Sequence, residues 1–437
     1  MTRLRWTTIV VLLLSTVPVS AQTLRLTVND AIERGMQTSH QLAGAVARGE
    51  AASAVADQRH AVMLPQVTAQ AGYTRTNHVD EFGILQPGPH LFIIYPDIPD
   101  NYRTRLDLQW LLYSGGRQDA LERAARAEAM ASADEVAATR ADLILEISRA
   151  YWGLVTAREA LRVVEQSVVQ IDAHVKDVRN LLDAGFVPPN DLFSAEAQAS
   201  RERMLSVQAA AARDVAEAEL ARLVGVPGGT PIEPVDPPEA PAPERRPLDD
   251  LIDAARRQRP ERAALLKRVR AAEERTTAAT AAKRPTVGVA GGFDYANPNP
   301  RVFPREDAWH TSWDAGLNVN WSIFNGGRVR SEIAEAAAIG RNVRERLNDF
   351  DSALAVEVRQ RQREVEAARA SIAAATDAVR SATEARRVVG ERFAAGVATS
   401  TDVLDAQVAL LQAELDRTRA LASARLADAQ LVRAVGQ

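Results

Sequence analysis

Two copies of one plan follow each other along the 437-residue chain, and this duplication limits its possible folds most. The stretch LDLQWLLYSGGR at Leu106–Arg117 returns as LNVNWSIFNGGR at Leu317–Arg328, 211 residues later. The same offset places AGFVPPNDL (Ala184–Leu192) on AGVATSTDV (Ala395–Val403). Because the period is too long for a solenoid of short repeats, we interpret the chain as a duplicated half-protein.

The two halves are separated by a proline-rich segment. We assign the first repeat to residues 22–225, an extended linker to 226–247 and the second repeat to 248–437. The linker holds eight of the 21 prolines, which excludes a helix there. The early parts of the repeats are offset by 220 residues instead of 211, so the first half has nine extra residues. We expect them in a surface loop at Phe82–Asn101.

The N-terminus has the features of a secretory signal peptide. Two arginines precede a short apolar run, and small residues at Val19–Ala21 fit a cleavage site, so residues 1–21 are predicted to be removed. The run is too short for a membrane-spanning helix, which needs about 20 residues. The chain has no Cys, so we expect no disulfide, no thiolate metal site and no N-terminal lipid anchor. With 53 basic and 57 acidic residues, no nucleic-acid partner is expected.

Long helices with a heptad pattern dominate both halves. Apolar residues and Ala recur in steps of four and three from Leu143 onward. The long helix of the first half spans about 98 Å at 1.5 Å per residue, and two shorter helices placed end to end would match it. The predicted helices are 28–64, 118–182 and 192–224 in the first half, and 248–283, 329–394 and 403–435 in the second.

Two strands are predicted in each half, between its first short helix and its long one. Apolar and polar residues alternate along 66–75 and 104–113, and again along 286–295 and 311–324. Such strands have one apolar face and one wet face, as in a half-buried soluble sheet or a membrane barrel. Export and aromatic residues on the apolar face favour the barrel. The permissive backbone for the turn into each long helix comes from Gly115, Gly116, Gly326 and Gly327.

Four strands are too few to enclose a channel, because about eight give a barrel just filled by side chains. Open sheet edges in lipid would leave backbone groups without hydrogen bonds. We therefore expect each chain to supply part of a barrel that cyclic association completes.

The duplicated layout, the two GGR turns and the segment AAGVATSTDVLDAQ (Ala394–Gln407) resemble the outer membrane efflux protein family, the TolC-like exit ducts of Gram-negative bacteria. The resemblance covers essentially all of 22–437. It implies a mainly α fold with a membrane β-barrel portion. In that fold a homotrimer forms a twelve-stranded β-barrel that continues into a periplasmic α-helical barrel. It also implies an outer-membrane location in contact with lipid, docking on a periplasmic adaptor (membrane fusion protein) and, through it, an inner-membrane pump.

The same resemblance places functional residues at the two helix-hairpin tips. Asp191, Asp402 and Asp405 fall where acidic residues narrow the periplasmic entrance. Ala398 stands where relatives often have an arginine that pairs with such an acid, so no salt-bridge lock is expected. Each Asp also fits a helix N-cap, Asp405 less well than the others. The expected adaptor contacts are Gly185, Phe186, Val187, Pro188, Gly396, Val397, Ala398 and Thr399.

No catalytic, cofactor or metal motif is present. The six His lack ligand spacing, and neither a phosphate-binding loop nor a G-x-S-x-G elbow occurs. The favoured hypothesis is a passive duct of a tripartite efflux or type I secretion system. A pore-less structural or adaptor coiled-coil protein of the envelope is the main alternative, and a self-standing porin is the other. The cargo and the pump class stay open.

Overall fold

The computed structural model describes residues 23–85, 87, 91–236 and 246–436. The predicted signal peptide lies outside these residues, as does most of the second half of the predicted linker. The chain forms two compact units. Among the described residues, one unit contains those within 23–39, 143–236 and 363–430, and the other contains those within 40–142, 246–362 and 431–436.

In the first half the elements follow the order strand, two helices, four strands, two helices. They are β1 (Leu24–Leu26), α1 (Val28–Thr38), α2 (His40–Ala61), β2 (Gln66–Arg75), β3 (Phe82–Leu85), β4 (Leu91–Tyr95), β5 (Asp100–Tyr113), α3 (Arg117–Asp183) and α4 (Pro189–Leu223).

The second half repeats this order with fewer strands. Its elements are β6 (Ile232–Pro234), α5 (Leu248–Gln258), α6 (Pro260–Ala281), β7 (Thr286–Asn297), β8 (His310–Asn320), α7 (Arg328–Ala394) and α8 (Ser400–Val435). No helix in the described ranges combines the length and the apolar composition that crossing a membrane requires.

Each predicted first helix is two helices. The expected helix 28–64 breaks at Ser39, and the expected helix 248–283 breaks at Arg259. Both residues are extended, with ψ of 115° and 118°. Pro260 explains the second break, since a proline disfavours helical geometry in the residue before it. No proline follows Ser39, so the first break has no such local cause.

Both halves contribute to one antiparallel sheet in the order β2-β5-β7-β8. Leu106 of β5 pairs with Phe293 of β7, so the two halves join at the centre of this sheet. The strand expected at 311–324 ends at Asn320, opposite Thr286. The residue before Thr286 is Pro285, which has no N–H to continue the ladder, so the alternating residues beyond 320 stay unpaired.

Two segments expected to lack regular structure contain strands. The predicted loop 82–101 includes the antiparallel pair β3 and β4, and β5 begins at Asp100, before the expected residue 104. Within the predicted linker, β6 pairs in parallel with β1. These short pairings give backbone N–H and C=O groups hydrogen-bond partners nearby. Pro234, at the end of β6, has no N–H and so leaves no donor without an acceptor.

Apolar layers between helices hold each unit together. In one unit, Leu251 of α5, Leu354 of α7 and Val435 of α8 share a buried cluster. In the other, Ile171 of α3 packs with Ala195 of α4 and with the α8 residue Leu404. Small Ala residues in these layers let helix backbones approach closely, as the heptad pattern predicts.

Candidate functional site

The tryptophan of each repeated W-x-x-x-x-G-G-R stretch ties the sheet to the preceding helix. The indole Nε1 of Trp110 donates to the backbone oxygen of Met63 at 3.0 Å, just after α2. In the second repeat, Trp321 makes the same 3.0 Å bond to the backbone oxygen of Lys283, just after α6. Each tryptophan thus satisfies a carbonyl that the helix end leaves unpaired.

The glycine pairs after these tryptophans adopt left-handed backbone in both repeats. Gly115 and Gly116 have φ of 68° and 85°, and Gly326 and Gly327 have 62° and 87°. The surroundings differ. A Cβ on Gly115 would lie 2.8 Å from Cβ of Arg284, and the Arg284 guanidinium donates to the Gly115 carbonyl at 3.0 Å. By contrast, no atom lies within 4 Å of a Cβ added to Gly326 or Gly327.

The first hairpin tip joins α3 to α4 through a tight helix end. Gly185 has φ of 77°. Its N–H donates to the carbonyl oxygen of Leu182 at 2.9 Å, and the N–H of Phe186 donates to the carbonyl oxygen of Leu181 at 2.8 Å. This is a Schellman motif, which satisfies the last carbonyls of α3. Pro188 then stands at the N-cap of α4 without a side-chain cap. The Phe186 side chain is 78% exposed on this turn.

The second tip repeats this geometry between α7 and α8. Gly396 has φ of 74°, and the N–H of Val397 donates to Arg392 at 2.9 Å. Thr399 replaces proline as the N-cap, and it forms a capping box with Asp402. Val397 is 62% exposed, so each tip displays an apolar side chain that is largely open to solvent.

The three predicted gate acids lie in different settings. The Asp402 carboxylate accepts the Thr399 N–H at 2.8 Å, and this bond lowers its pKa below the usual value. Asp191, at the start of α4, is half-buried and accepts an amide N–H of Asn190 at 3.1 Å. Asp405 is exposed and has no hydrogen bond or ion pair with any described residue.

A buried polar contact near the tips joins the two hairpins. His174 of α3 is 7% exposed, and its Nε2 lies 3.0 Å from Oγ of Ser400, the first residue of α8. Burial lowers the pKa of His174, partly offset by the charge of Asp177. The ring of Phe393 lies 5.3 Å away and covers the imidazole. A neutral histidine is therefore the form that fits this contact.

One heptad along the helices, a second polar contact joins the same pair. Gln407 of α8 donates through Nε2 to the backbone oxygen of Ser167 at 3.0 Å. The Ser167 hydroxyl in turn donates to Glu202 of α4, a carboxylate with 0% exposure. Sequence reasoning missed these residues. Their signal was polar side chains repeating at seven-residue spacing, 167 with 174 and 400 with 407, which indicates a shared face.

The described part of the chain holds no group of three or more His, Asp and Glu placed to bind a metal ion. The features of the tips are exposed apolar turns, carboxylates and buried neutral hydrogen bonds.

Comparison with known proteins assigns the family. The family model of outer membrane efflux proteins matches residues 31–226 and 251–437. The chain is 28% identical over 403 residues to CyaE of Bordetella pertussis, a match covering 90% of this chain and 82% of CyaE. It is 25% identical over 327 residues to the outer membrane efflux protein BepC of Brucella suis, a match covering 72% of this chain and 70% of BepC. It is 23% identical over 406 residues to TolC of Vibrio cholerae, a match covering 91% of this chain and 87% of TolC.

Solved structures have the same fold. The outer membrane protein VceC of Vibrio cholerae superposes with a TM-score of 0.78 at 22% identity, covering 94% of this chain and 96% of VceC. The MtrE outer membrane channel of Neisseria gonorrhoeae gives 0.75 at 20% identity, covering 94% and 88%. The fold class predicted from the resemblance, TolC-like and mainly helical with a smaller strand portion, is thereby confirmed.

The family match also favours the duct over the pore-less alternative and over an enzyme. Since the family model covers most of both repeats, this chain belongs to the outer membrane efflux protein family and is an exit duct of the outer membrane with a large periplasmic helical part.

Proposed function

We propose that three copies of this chain join edge to edge, so that twelve strands enclose the outer-membrane portion of an efflux duct. The sheet carries this proposal. Its outer strands β2 and β8 each have one edge without a partner among the described strands. Unpaired backbone groups are costly in lipid, and cyclic pairing of β2 with β8 of the next copy removes every edge.

The two faces of the sheet fit lipid on one side and water on the other. Large apolar side chains on one face are exposed, by 73% for Trp313 and 64% for Leu317. The opposite face carries Asp107, Asp294 and Asp314. This alternation is the pattern of strands that separate lipid from an aqueous lumen.

Engineered cysteines test the edge pairing, because the chain has none of its own. Ala69→Cys on β2 is combined in turn with Trp313→Cys, Ala315→Cys and Leu317→Cys on β8. We expect one combination to give a disulfide-linked ladder up to the trimer, and native mass spectrometry in detergent to give a trimer. Ala69→Cys with Val289→Cys, on an inner strand, is the control and should not cross-link. A stable monomer or dimer, with no combination cross-linking, would overturn the assembly.

We place the periplasmic entrance at the two tips and propose that they dock on a periplasmic adaptor and, through it, on an inner-membrane pump. The support is the exposure of Phe186 and Val397 on turns whose backbone is fixed by hydrogen bonds. Exposed apolar groups held rigidly cost little conformational entropy when a partner covers them.

Serine substitutions at the tips test the docking. Phe186→Ser and Val397→Ser should reduce co-purification of the adaptor and export of the cargo, while the trimer persists. Val207→Ser is the matched control, since Val207 is 71% exposed on α4 away from the tip. If the tip variants and the control retain the same adaptor binding, the tips are not the docking surface.

For the gate we propose that Asp191, Asp402 and Asp405 line the entrance, with the His174–Ser400 contact holding the two hairpins together. Asp402 and Asp405 are three residues apart and share a helix face. In a trimer they gather six carboxylates, which should favour cations. Asp402 also belongs to the capping box of Thr399, so Asp405 is the acid whose charge is free for this role.

Single-channel recording in planar bilayers tests the gate. Asp405→Asn should lower cation selectivity and weaken block by trivalent cations. Asp416→Asn is the control, because Asp416 lies farther along α8 and already pairs with Arg419 at 3.2 Å. Equal selectivity in wild type and both variants would place the gate elsewhere.

A further inference from the structure

A cluster of arginines and aspartates covers part of the polar face of the sheet. Three strands and the segment between β7 and β8 contribute to it. Its members are Arg103, Arg105 and Asp107 of β5, Asp294 of β7, Asp314 of β8, and Arg301 and Arg305 of the connecting segment. Four arginines thus face three aspartates, which leaves one positive charge in excess.

Arg105 takes up most of the negative charge. Its guanidinium lies 2.6 Å from Asp107, 2.5 Å from Asp294 and 3.2 Å from Asp314. The side chain crosses β7 above Gly292, where a Cβ would overlap the guanidinium, so Arg105 can take this position only because residue 292 is glycine. Arg105 is therefore fully paired and holds the three strands in fixed positions.

Two further arginines share the same carboxylates. Arg103 donates through Nε to Asp294 at 2.6 Å, and its side chain is 52% exposed, so the outer end of the guanidinium faces solvent. Arg301 pairs with Asp314 at 2.7 Å and also donates to a backbone oxygen. Each aspartate of the cluster thus already has a cationic partner.

Within the cluster, Arg305 differs from the other three arginines because it has no carboxylate partner among the described residues. Its Nη1 donates to the hydroxyl of Tyr95 at 2.7 Å and its Nη2 to Asn101 at 3.3 Å. Its Nε is buried and has no hydrogen-bond acceptor in the described part of the chain. A buried charged N–H without an acceptor is costly, and an anionic oxygen would satisfy it.

A cavity of about 350 Å³ lies against these groups. Arg103, Arg105 and Arg305 line it, together with the polar residues Gln70 and Thr74, and none of the described residues in its wall is Asp or Glu. The cavity therefore combines excess positive charge, several N–H donors and room for a small ligand.

We infer that this cavity binds a small oxyanion of the phosphate, sulfate or carboxylate class. Arginine guanidinium groups present paired N–H donors that match the oxygens of such anions. The inferred position of the site in the lumen of the duct rests on the proposed trimeric barrel, whereas the binding chemistry needs only the sheet and its connecting segment. An anion held there lowers the local positive charge, and it would change the current through the open duct.

Calorimetry with inorganic phosphate tests the binding. The detergent-solubilised full-length protein is titrated in chloride buffer at constant ionic strength. Arg305→Gln should raise the dissociation constant about tenfold or more, because it removes the one unpaired charge of the cavity. Arg301→Gln is the matched control, since Arg301 already pairs with Asp314 and does not line the cavity. Arg301→Gln should bind phosphate as wild type does.

Two outcomes would overturn the inference. One is an equal dissociation constant for wild type and Arg305→Gln, with both proteins intact by native mass spectrometry. The other is heat that disappears when the chloride concentration alone is raised, which indicates screening instead of a site. Arg305→Lys keeps the positive charge but lacks the paired N–H donors of the guanidinium. Its affinity for phosphate should lie between those of wild type and Arg305→Gln.

Planar-bilayer recording separates this inference from the proposed function. With a trimeric barrel, phosphate should reduce single-channel conductance in wild type and in Arg301→Gln but not in Arg305→Gln. Channels that form without any effect of phosphate would overturn the inference and leave the proposed duct standing. Phosphate binding by a protein that forms no trimer would support the site and overturn the proposed assembly.

Discussion

Gly225→Ala is expected to destabilise the junction between α4 and the first helix pair. Gly225 follows α4 with φ of 69°, in a turn where the N–H of Val226 donates to Ala221 at 3.0 Å. A Cβ on Gly225 would lie 2.6 Å from both Cβ and Oγ1 of Thr38, the last residue of α1. Left-handed backbone costs a non-glycine residue about 1–2 kcal/mol, and the overpacking adds about 1–3 kcal/mol.

Gly185→Ala is the matched control for this prediction. Gly185 has a similar φ of 77°, but no atom lies within 4 Å of its added Cβ. It should therefore show only the backbone cost, about 1–2 kcal/mol. The difference between the two variants, about 1–3 kcal/mol, measures the close approach to Thr38.

Heat unfolding in detergent and hydrogen–deuterium exchange of α1 and the last turn of α4 give the two costs. The double variant Thr38→Gly/Gly225→Ala removes the atoms that the new Cβ meets. A double-mutant cycle should then show a favourable coupling, since each change relieves the other. Equal destabilisation by Gly225→Ala and Gly185→Ala, or a coupling of zero, would refute the close-approach argument.

Three further predictions concern buried and capping groups. Tyr151→Phe should cost about 1–2 kcal/mol and speed exchange of the Asp236 N–H, which donates to the Tyr151 hydroxyl at 3.1 Å; unchanged exchange would contradict this. Burial holds the pKa of His174 below its unfolded value near 6.5, so the His174–Ser400 contact is stable above that pH and weakens as pH falls below it. Channels should open more often at pH 5.5 than at pH 7.5, and His174→Gln should abolish the difference; an unaltered pH response in this variant would sink the idea. The N-terminal turn of α8 should stay protected from exchange above about pH 4 and lose protection in stronger acid, because Asp402 has a lowered pKa; the same loss in Asp402→Asn would argue against the cap.

Burial raises the pKa of Tyr151 to about 12, in keeping with its position between two chain segments. Its hydroxyl donates to the carbonyl of Leu26 at 3.1 Å and accepts the Asp236 N–H. The N–H of Val28 reaches the Asp236 carboxylate at 2.6 Å. These contacts fasten the β1–β6 pair within its unit and show that the predicted linker is in part an ordered element.

Much of the fold was predictable because its signals are local. A heptad or an alternating pattern depends on residues a few positions apart, and it predicted the long helices and the four main strands. The duplication added the repeat plan, since similar stretches fold alike. The tip motifs and GGR turns were readable for the same reason, because each glycine adopts its positive φ within its own turn.

Contacts between distant segments were decided only by the tertiary structure. The break at Ser39 has no proline beside it, and it lies next to Thr38, which packs against Gly225 almost 190 residues later. The order β2-β5-β7-β8 depends on which strand edges meet, and alternation within a strand contains no information about its neighbours.

The functional groups divide in the same way. The sequence offered Asp402 as a candidate gate acid and as a candidate N-cap. The N-cap is Thr399 instead, and Asp402 completes its capping box from three residues later, a local pattern as well. The His174–Ser400 contact and the excess charge of Arg305 were not visible there. A buried polar contact requires two residues 226 positions apart to meet, and a residual charge requires a count of all its partners in space. Local patterns determined what this chain is made of, and long-range packing determined which side chains meet, because side-chain partners are set by distance in space and not along the chain.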